Sequence, residues 1–260
     1  MLGRPLIRFD SVPSTMTVLA GLASSGAPEG TTVVTGFQSA GRGRAGRTWV
    51  TPPGTSLLCS VLLRPHLPLP RLTPLSILVA DAITSVARHE YGLDARIKWP
   101  NDVLIDGKKL SGILIQTRPN GQFPSVNIGM GINANIHPGD LPPTATSLLA
   151  AYGLAVDLDL LLRQILDAVE TRYRALCDGD LSPIWPGIQD RLAMRHERVT
   201  VQEGDASVTG FLRRIDPDGA LVMDDDGVLR RIVVGDLVRG PRLPSDTPAD
   251  APVPGKNARI

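Results

Sequence analysis

Between Gly41 and Arg47 the chain reads Gly-Arg-Gly-Arg-Ala-Gly-Arg, three glycines and three arginines around one alanine, and Trp49 follows two residues later. Glycine lets the backbone take positive φ and approach a ligand closely. Arginine presents a planar, permanently charged fork suited to phosphate and carboxylate. No Asp or Glu occurs between Glu29 and Asp81, so nothing nearby in sequence offsets that charge. Such a loop expects an anion. From this stretch alone, a loop over a small anionic ligand and an arginine-rich nucleic-acid tail fit equally well.

Two further groupings could carry chemistry. The first is Lys98-Trp99-Pro100-Asn101-Asp102, followed closely by Lys108-Lys109-Leu110-Ser111-Gly112. Asn and Asp serve turns for local reasons, and Lys109 becomes interesting only if it enters the same cleft as the arginines. The second is Asn127-Ile128-Gly129-Met130-Gly131-Ile132-Asn133. In a strand, Gly129 and Gly131 share one side and leave a flat surface where a ring can lie; a bulge or tight sheet packing uses the same pair. The spacing is not that of a dinucleotide fingerprint, and no Gly-x-x-x-x-Gly-Lys-Ser/Thr phosphate loop occurs. The four histidines are scattered, and Cys59 and Cys177 lack metal-ligand spacing. Two distant cysteines fit a reduced, cytoplasmic protein.

These groups need elements to hold them. Ile7 to Phe9 reads as a strand, and Ser14 as an N-cap for a helix with Met16, Leu19, Ala20 and Ala23 on one face. Thr32 to Thr35 is a β-branched strand that delivers Gln38 and the Gly/Arg loop. Ser56 to Leu63 is a nearly continuous apolar run, as expected of a central strand covered on both faces. Thr73-Pro74 opens a helix that Gly92 ends. Ala95 to Trp99, Val103 to Ile105, Lys108 to Gln116 and Ser125 to Ile128 read as an antiparallel meander, with Asp106-Gly107 as a hairpin turn. Asp157 to Leu176 is amphipathic, and a short helix is expected over Ile188 to Met194. Four short strands then lie at 198–201, 207–212, 220–223 and 229–234, a pattern of small-barrel size. Residues 241–260 are rich in Pro, Asp and Ala without periodicity, which predicts a disordered tail.

Composition bounds the function. The chain has 260 residues, 42% hydrophobic and 20% charged, with Lys+Arg 27 against Asp+Glu 26. A net charge of +1 makes any basic function local and argues against a general nucleic-acid binder, as do aromatics at 4%. The first ten residues have no signal-peptide apolar segment, and no apolar run approaches membrane-span length.

Taken together, Gly41 to Trp49, Lys98 to Asp102, Lys109 to Leu114 and Gly129 to Asn133 resemble, in order and spacing, the motifs of the biotin protein ligases. The resemblance runs from about Ser14 to Val238. It implies an α+β fold: a catalytic domain related to class II tRNA-synthetase cores, with a mostly antiparallel sheet and flanking helices, then a small SH3-like β-barrel. The expected organisation is a catalytic domain over 1–195, the SH3-like domain over 196–240 and the tail. Some members carry an N-terminal DNA-binding module; this chain starts almost directly at the catalytic region, so a monofunctional ligase without DNA or membrane partners is expected.

The family activates biotin with ATP to biotinyl-5′-adenylate and transfers biotin to a lysine of a carboxylase carrier domain, of acyl-CoA or pyruvate carboxylases. Carried onto this chain, the resemblance implies catalytic roles for Lys98, Arg44 and Lys109, with Lys98 on phosphate and Lys109 near the biotin carboxylate. Biotin would contact Ser14, Thr15, Gln38, Gly41, Arg42, Gly43, Arg44, Lys109, Gly112, Gly129 and Gly131. ATP and the adenylate would contact Arg42, Trp49, Lys98, Asn101 and Asn133, with Trp49 on adenine. Asp102 has two open roles: orienting the acceptor amine, or binding Mg²⁺ with Asn101. Met16 stands where the family often has asparagine. The Gly/Arg loop is expected to be a mobile lid that orders over the adenylate. The nearest rival of the same fold is a lipoate-type ligase or acyltransferase; an RNA-binding module and a peptide-binding adaptor are rivals of other classes.

Overall fold

In the computed structural model, residues 1–239 are described; the expected tail over 241–260 lies outside them. Seven strands form one sheet: β1 (Leu6–Val12), β2 (Thr32–Gln38), β3 (Ser56–Leu63), β4 (Ala95–Lys98), β5 (Asp102–Ile105), β6 (Lys108–Arg118) and β7 (Ser125–Asn133). Their order is β1-β2-β3-β7-β6-β5-β4. Only β1 and β2 run parallel; the other pairs are antiparallel. All eight residues of β3 are buried, as its apolar run requires. Asp106 and Gly107 both take positive φ, 51° and 73°, the turn that a two-residue hairpin between β5 and β6 demands.

Helix α1 (Thr15–Ser24) covers one face, and α2 (Leu75–Tyr91) and α4 (Leu158–Asp178) cover the other. Alternation along β3 serves both: Leu62 packs with Leu19 and Val33 beneath α1, while Leu57, Cys59, Val61 and Leu63 join the larger core. The stretch Leu69–Tyr91 is long and apolar enough by length and composition alone to cross a membrane, but 67% of its most apolar 18-residue window is buried in the fold, so its apolarity is spent on core packing. A short helix, α3 (Leu148–Tyr152), carries no sequence-level signal beyond Ser147, whose hydroxyl accepts from the Ala150 N–H.

Helix α5 spans Trp185–Asp190, earlier than the expected 188–194. Pro186 suits a first turn, and after Arg191 the chain extends so that Leu192 bridges Ile97 at the outer edge of β4.

Beyond Arg195 lie five strands where four were expected: β8 (Arg198–Glu203), β9 (Ala206–Ile215), β10 (Leu221–Asp225), β11 (Val228–Ile232) and β12 (Asp236–Arg239). They form a sheet of order β11-β10-β9-β8-β12. The expected fourth strand ends at Ile232, and the chain turns through Gly235 into β12, which is too short to show a pattern of its own. This sheet packs onto the first part: Trp99 Nε1 donates to the Gly219 carbonyl (3.0 Å) and Trp185 Nε1 to the Ile215 carbonyl (3.1 Å).

One buried charge cluster ties the helices together. Asp81 on α2 is fully buried; its Oδ2 accepts from Arg172 Nε of α4 (2.9 Å) and its Oδ1 from Arg191 Nε (3.0 Å). The Arg191 carbonyl in turn accepts from Ile97 N–H of β4 (2.8 Å), so the cluster reaches the strand that carries Lys98. Removing one member of a buried charge group leaves the rest uncompensated. Asp81→Ala is therefore expected to cost about 3 kcal/mol of stability, measured as a lowered urea midpoint at unchanged slope.

Candidate functional site

Residues opposite one another in antiparallel strands point to the same face. The register sets Leu58 opposite Gly131, Gly131 opposite Gly112, Gly112 opposite Asp102, and Asp102 opposite Lys98. One row across five strands thus reads Leu58, Gly131, Gly112, Asp102, Lys98 on a single face, the face that α1 covers further along. The two glycines leave a gap in this row, and the Trp49 ring lies in it. A Cβ on Gly131 would stand 2.6 Å from Trp49 Cε2, and one on Gly112 3.0 Å from Cζ3. A Cβ on Gly129 would meet Met16 Cγ and Sδ at 2.9 Å. The flat surface expected from the glycine pair exists; Trp49 and Met16 lie on it.

Lys109 joins this face through an irregularity. Val103 pairs with Ser111, but Leu104 pairs with Lys109, so Leu110 is an extra residue and a β-bulge. Leu110 turns fully into the core, and Lys109 comes round to the side of Asp102. Its Nζ lies 2.7 Å from Asp102 Oδ1 and 5.6 Å from the centre of the Trp49 ring. The lysine does point into the cleft with the arginines, which the sequence left open.

The Gly/Arg loop closes over this floor. Trp49 N–H donates to the Gly41 carbonyl (3.0 Å), and Gly43 N–H to the Arg47 carbonyl (2.7 Å). Gly41 must be glycine, because a Cβ would collide with the Trp49 carbonyl oxygen. Ala45 and Gly46 take positive φ, 51° and 74°. Arg44 Nη1 donates to Asn101 Oδ1 (3.0 Å) and to Asp236 Oδ1 (3.1 Å), and its Nη2 to the Gly235 carbonyl (3.3 Å). Arg47 Nη2 pairs with Asp236 Oδ2. The loop has an acidic partner after all, on β12. Asn101 is itself held by β6, its Nδ2 donating to the Ile113 carbonyl (2.9 Å).

The result is a narrow cleft of about 110 Å³, bounded by the first turn of α1, Gln38, the loop, and the glycine floor. Of the residues the resemblance pointed to for biotin, Ser14, Thr15, Gln38, Arg42, Gly43, Arg44, Lys109, Gly112, Gly129 and Gly131 line it, and Gly41 braces its rim. Ser14 occupies the N-cap position, but its hydroxyl caps nothing. Gln38 does that instead: its Oε1 accepts from Thr15 N–H (2.8 Å) and Thr15 Oγ1 (3.1 Å), and Thr15 Oγ1 also meets Ser60 Oγ (2.8 Å). Ser14 Oγ is left buried without a partner, as are Trp49 Nε1 and Asp102 Oδ1, whose ion pair with Lys109 lies off the hydrogen-bond direction. Three orphaned polar atoms on the wall of one cleft call for a polar ligand, since buried polar groups are almost always paired.

A second, wider cleft, about 790 Å³, adjoins the first and shares Arg47, Asp102 and Lys109 with it. Lys98 lines this second cleft, with Arg96, Arg195 and His196. Burial pushes the Lys98 ammonium below its ordinary value, Asp102 opposes this, and Lys109 and Arg47 add to it. Asn133 departs from the expected placement. It lines neither cleft; its Nδ2 donates to the Thr146 carbonyl (2.9 Å) from a buried position at the end of β7. Ser60 and Asp236 are site residues that motif spacing did not flag, whereas Met16 was marked by its place in the motif; for Asp236 the only signal was an arginine cluster lacking a nearby acid. Among the described residues no three of His, Cys, Asp and Glu gather to hold a metal.

Residues 8–133 match the model of the biotin/lipoate A/B protein ligase family. The chain is 34% identical over 248 residues to the bifunctional ligase/repressor BirA of Bacillus subtilis, covering 92% of this chain and 75% of that one. It is 32% identical over 243 residues to the biotin–[acetyl-CoA-carboxylase] ligase of Mycobacterium tuberculosis, covering 86% and 85%. Its fold is similar to that of a biotin protein ligase from Aquifex aeolicus in complex with biotin and ATP, with TM-score 0.77, 24% identity, and 90% and 99% coverage. With its loop and glycine floor on one cleft, and Lys109 shared between that cleft and the one that holds Lys98, the chain belongs to the biotin protein ligases.

Proposed function

We propose that the two adjoining clefts carry out ATP-dependent activation of biotin to biotinyl-5′-adenylate, followed by transfer of biotin to a protein lysine. The observation that carries this is the convergence of Lys109, Arg44 and Arg47 on a cleft whose inner end holds a helix N-terminus and an orphaned Ser14 hydroxyl. The ring end of biotin goes inward. Its urea oxygen accepts from Ser14 Oγ and the Met16 N–H, the first-turn amide not taken by Gln38 or the Ser14 carbonyl, with the Met16 side chain as an apolar wall where the family often has an amide. The valeryl carboxylate then reaches Lys109, and the nucleotide occupies the second cleft beside Lys98. Trp49 offers one ring face to adenine and rests the other on Gly131 and Gly112. Asn101 serves the nucleotide by holding Arg44, and Arg42 borders both ligands. Asn133 supports that end of β7, and contact with the purine edge needs a shift of its amide.

In the first step a carboxylate oxygen attacks the α-phosphorus, and the bond to the diphosphate breaks. Two anions must approach, so fixed cations lower the barrier by offsetting charge that grows in the transition state. Lys109 and Lys98 supply it from opposite sides of Asp102. In the second step the neutral amine of the acceptor lysine attacks the acyl carbon, and AMP leaves with the acyl–oxygen electron pair. Asp102, with an unsatisfied oxygen at the junction of the clefts, is suited to orient that amine. A single carboxylate also fits Mg²⁺ of the kind that arrives with nucleotide phosphates and keeps waters as its other ligands; Asp102 and Asn101 would hold it, and the ion would supply charge neutralisation on phosphate.

The acceptor is the biotin-carrier domain of an acyl-CoA carboxylase, with pyruvate carboxylase as a further one. Architecture supports a finer reading: a class II synthetase-like catalytic domain over 1–195 and an SH3-like domain over 196–240, formed by the sheet β8 to β12. Two free thiols, Cys59 buried and Cys177 exposed, support the cytoplasm.

Incubation with ATP, Mg²⁺, biotin and a carrier domain is expected to add one biotinyl mass to the carrier; lipoate in place of biotin adds none. Lys98→Ala is expected to slow pyrophosphate release by about 10²–10³-fold while biotin affinity by titration calorimetry stays unchanged. Because burial lowers the Lys98 value, its ammonium is lost at a pH below that of an ordinary lysine. The first step should therefore lose rate on an alkaline limb below the ordinary lysine range, and the residual activity of Lys98→Arg should lack that limb.

A further inference from the structure

The Gly/Arg loop and β12 meet through one carboxylate. Asp236 gives Oδ1 to Arg44 and Oδ2 to Arg47, and the adjacent Gly235 carbonyl takes a second donor of Arg44. Two guanidinium groups held this close repel; burial first, and then the charge of Arg47, disfavour the charge of Arg44. Without a shared anion they would swing apart, since Arg47 is largely exposed. We propose that Asp236 is a positioning residue for the nucleotide step, clamping Arg44, on the first cleft, beside Arg47, which both clefts share, and this rests on the adenylation reading above.

A rival account is that Asp236 competes with phosphate for these arginines. Charge and donor counting favour the clamp. One carboxylate between two guanidiniums leaves a net positive charge. The Nε of Arg44 and the Nε and Nη1 of Arg47 make no hydrogen bond among the described residues, so each fork keeps donors for an incoming phosphate. Asn101 fixes Arg44 from the other side. Arg42, on the same loop and also lining the first cleft, makes no ion pair among the described residues, so Asp236 bridges only Arg44 and Arg47 of the three loop arginines. The C-terminal sheet thus contributes to nucleotide affinity through a residue some 190 positions from the loop, |i−j| = 192 and 189, and biotin, seated at the far end of the first cleft, is insensitive to it.

The test is biotin-dependent pyrophosphate release by the full chain, with KM determined for each substrate. Asp236→Asn is expected to raise KM for ATP by about tenfold and leave KM for biotin within about twofold, and Asp236→Glu to restore most of the ATP affinity. An unchanged KM for ATP or a lowered one, as competition requires, overturns the clamp. So do equal rises for both substrates, a fall in kcat alone as misfolding gives, or Asp236→Glu no better than Asp236→Asn. Wild-type protein that releases no pyrophosphate with biotin and ATP overturns the adenylation reading, and this inference with it.

Discussion

Antiparallel pairing places facing residues on one side of a sheet, and the site depends on that constraint. Lys98, Asp102, Gly112 and Gly131 are separated by turns and a hairpin, yet register puts them in one row on one face. A one-residue slip would turn each to the opposite face. Where the row has no side chains, an indole ring fits; where it has charges, the two clefts meet. The bulge at Leu110 works within the same constraint. It lets Lys109 share the cleft face with Gly112, three residues away, while Leu110 and Ser111 both turn inward, which strict alternation would forbid.

The inner end of the cleft follows from an exchange of partners. A helix start usually takes its cap from the residue before it. Here the cap comes from Gln38 across the α1–β2 junction, and Ser14 is freed. A buried, unsatisfied hydroxyl at a helix start costs stability in the empty protein and favours a ligand with a polar head. Asp102 repeats the theme at the other end, with an oxygen that Lys109 neutralises but does not hydrogen-bond. Ligand affinity is drawn from this incomplete satisfaction.

Stability elsewhere offsets these costs. The all-buried β3 and the helices on the far face form a core continuous with that of the C-terminal sheet. Asp81 holds α2, α4 and the segment after α5 to one point, and that segment lines the second cleft. Packing of the C-terminal sheet onto the sheet that carries Lys98 explains how β12 can reach the Gly/Arg loop at all.

Local chemistry was legible in the sequence: the glycine-loosened cationic loop, the β-branched and apolar strands, the Asp106-Gly107 hairpin, and most cleft residues, because motif residues of this kind owe their identity to backbone conformation and charge. What depends on register and long-range contact was not. Spacing alone could not turn Lys109 inward, since a bulge breaks period 2; it could not show the Ser14 hydroxyl left free, because Gln38, which takes the Thr15 N–H, is 23 positions from Thr15. Nor could it find Asp236, whose four-residue strand has no pattern. Residue types determined which groups could bind anions and where the chain must turn. Tertiary structure decided which of those groups share a face, because a side chain's direction is set by the pairing of its strand, and a charge's partner by distance in space.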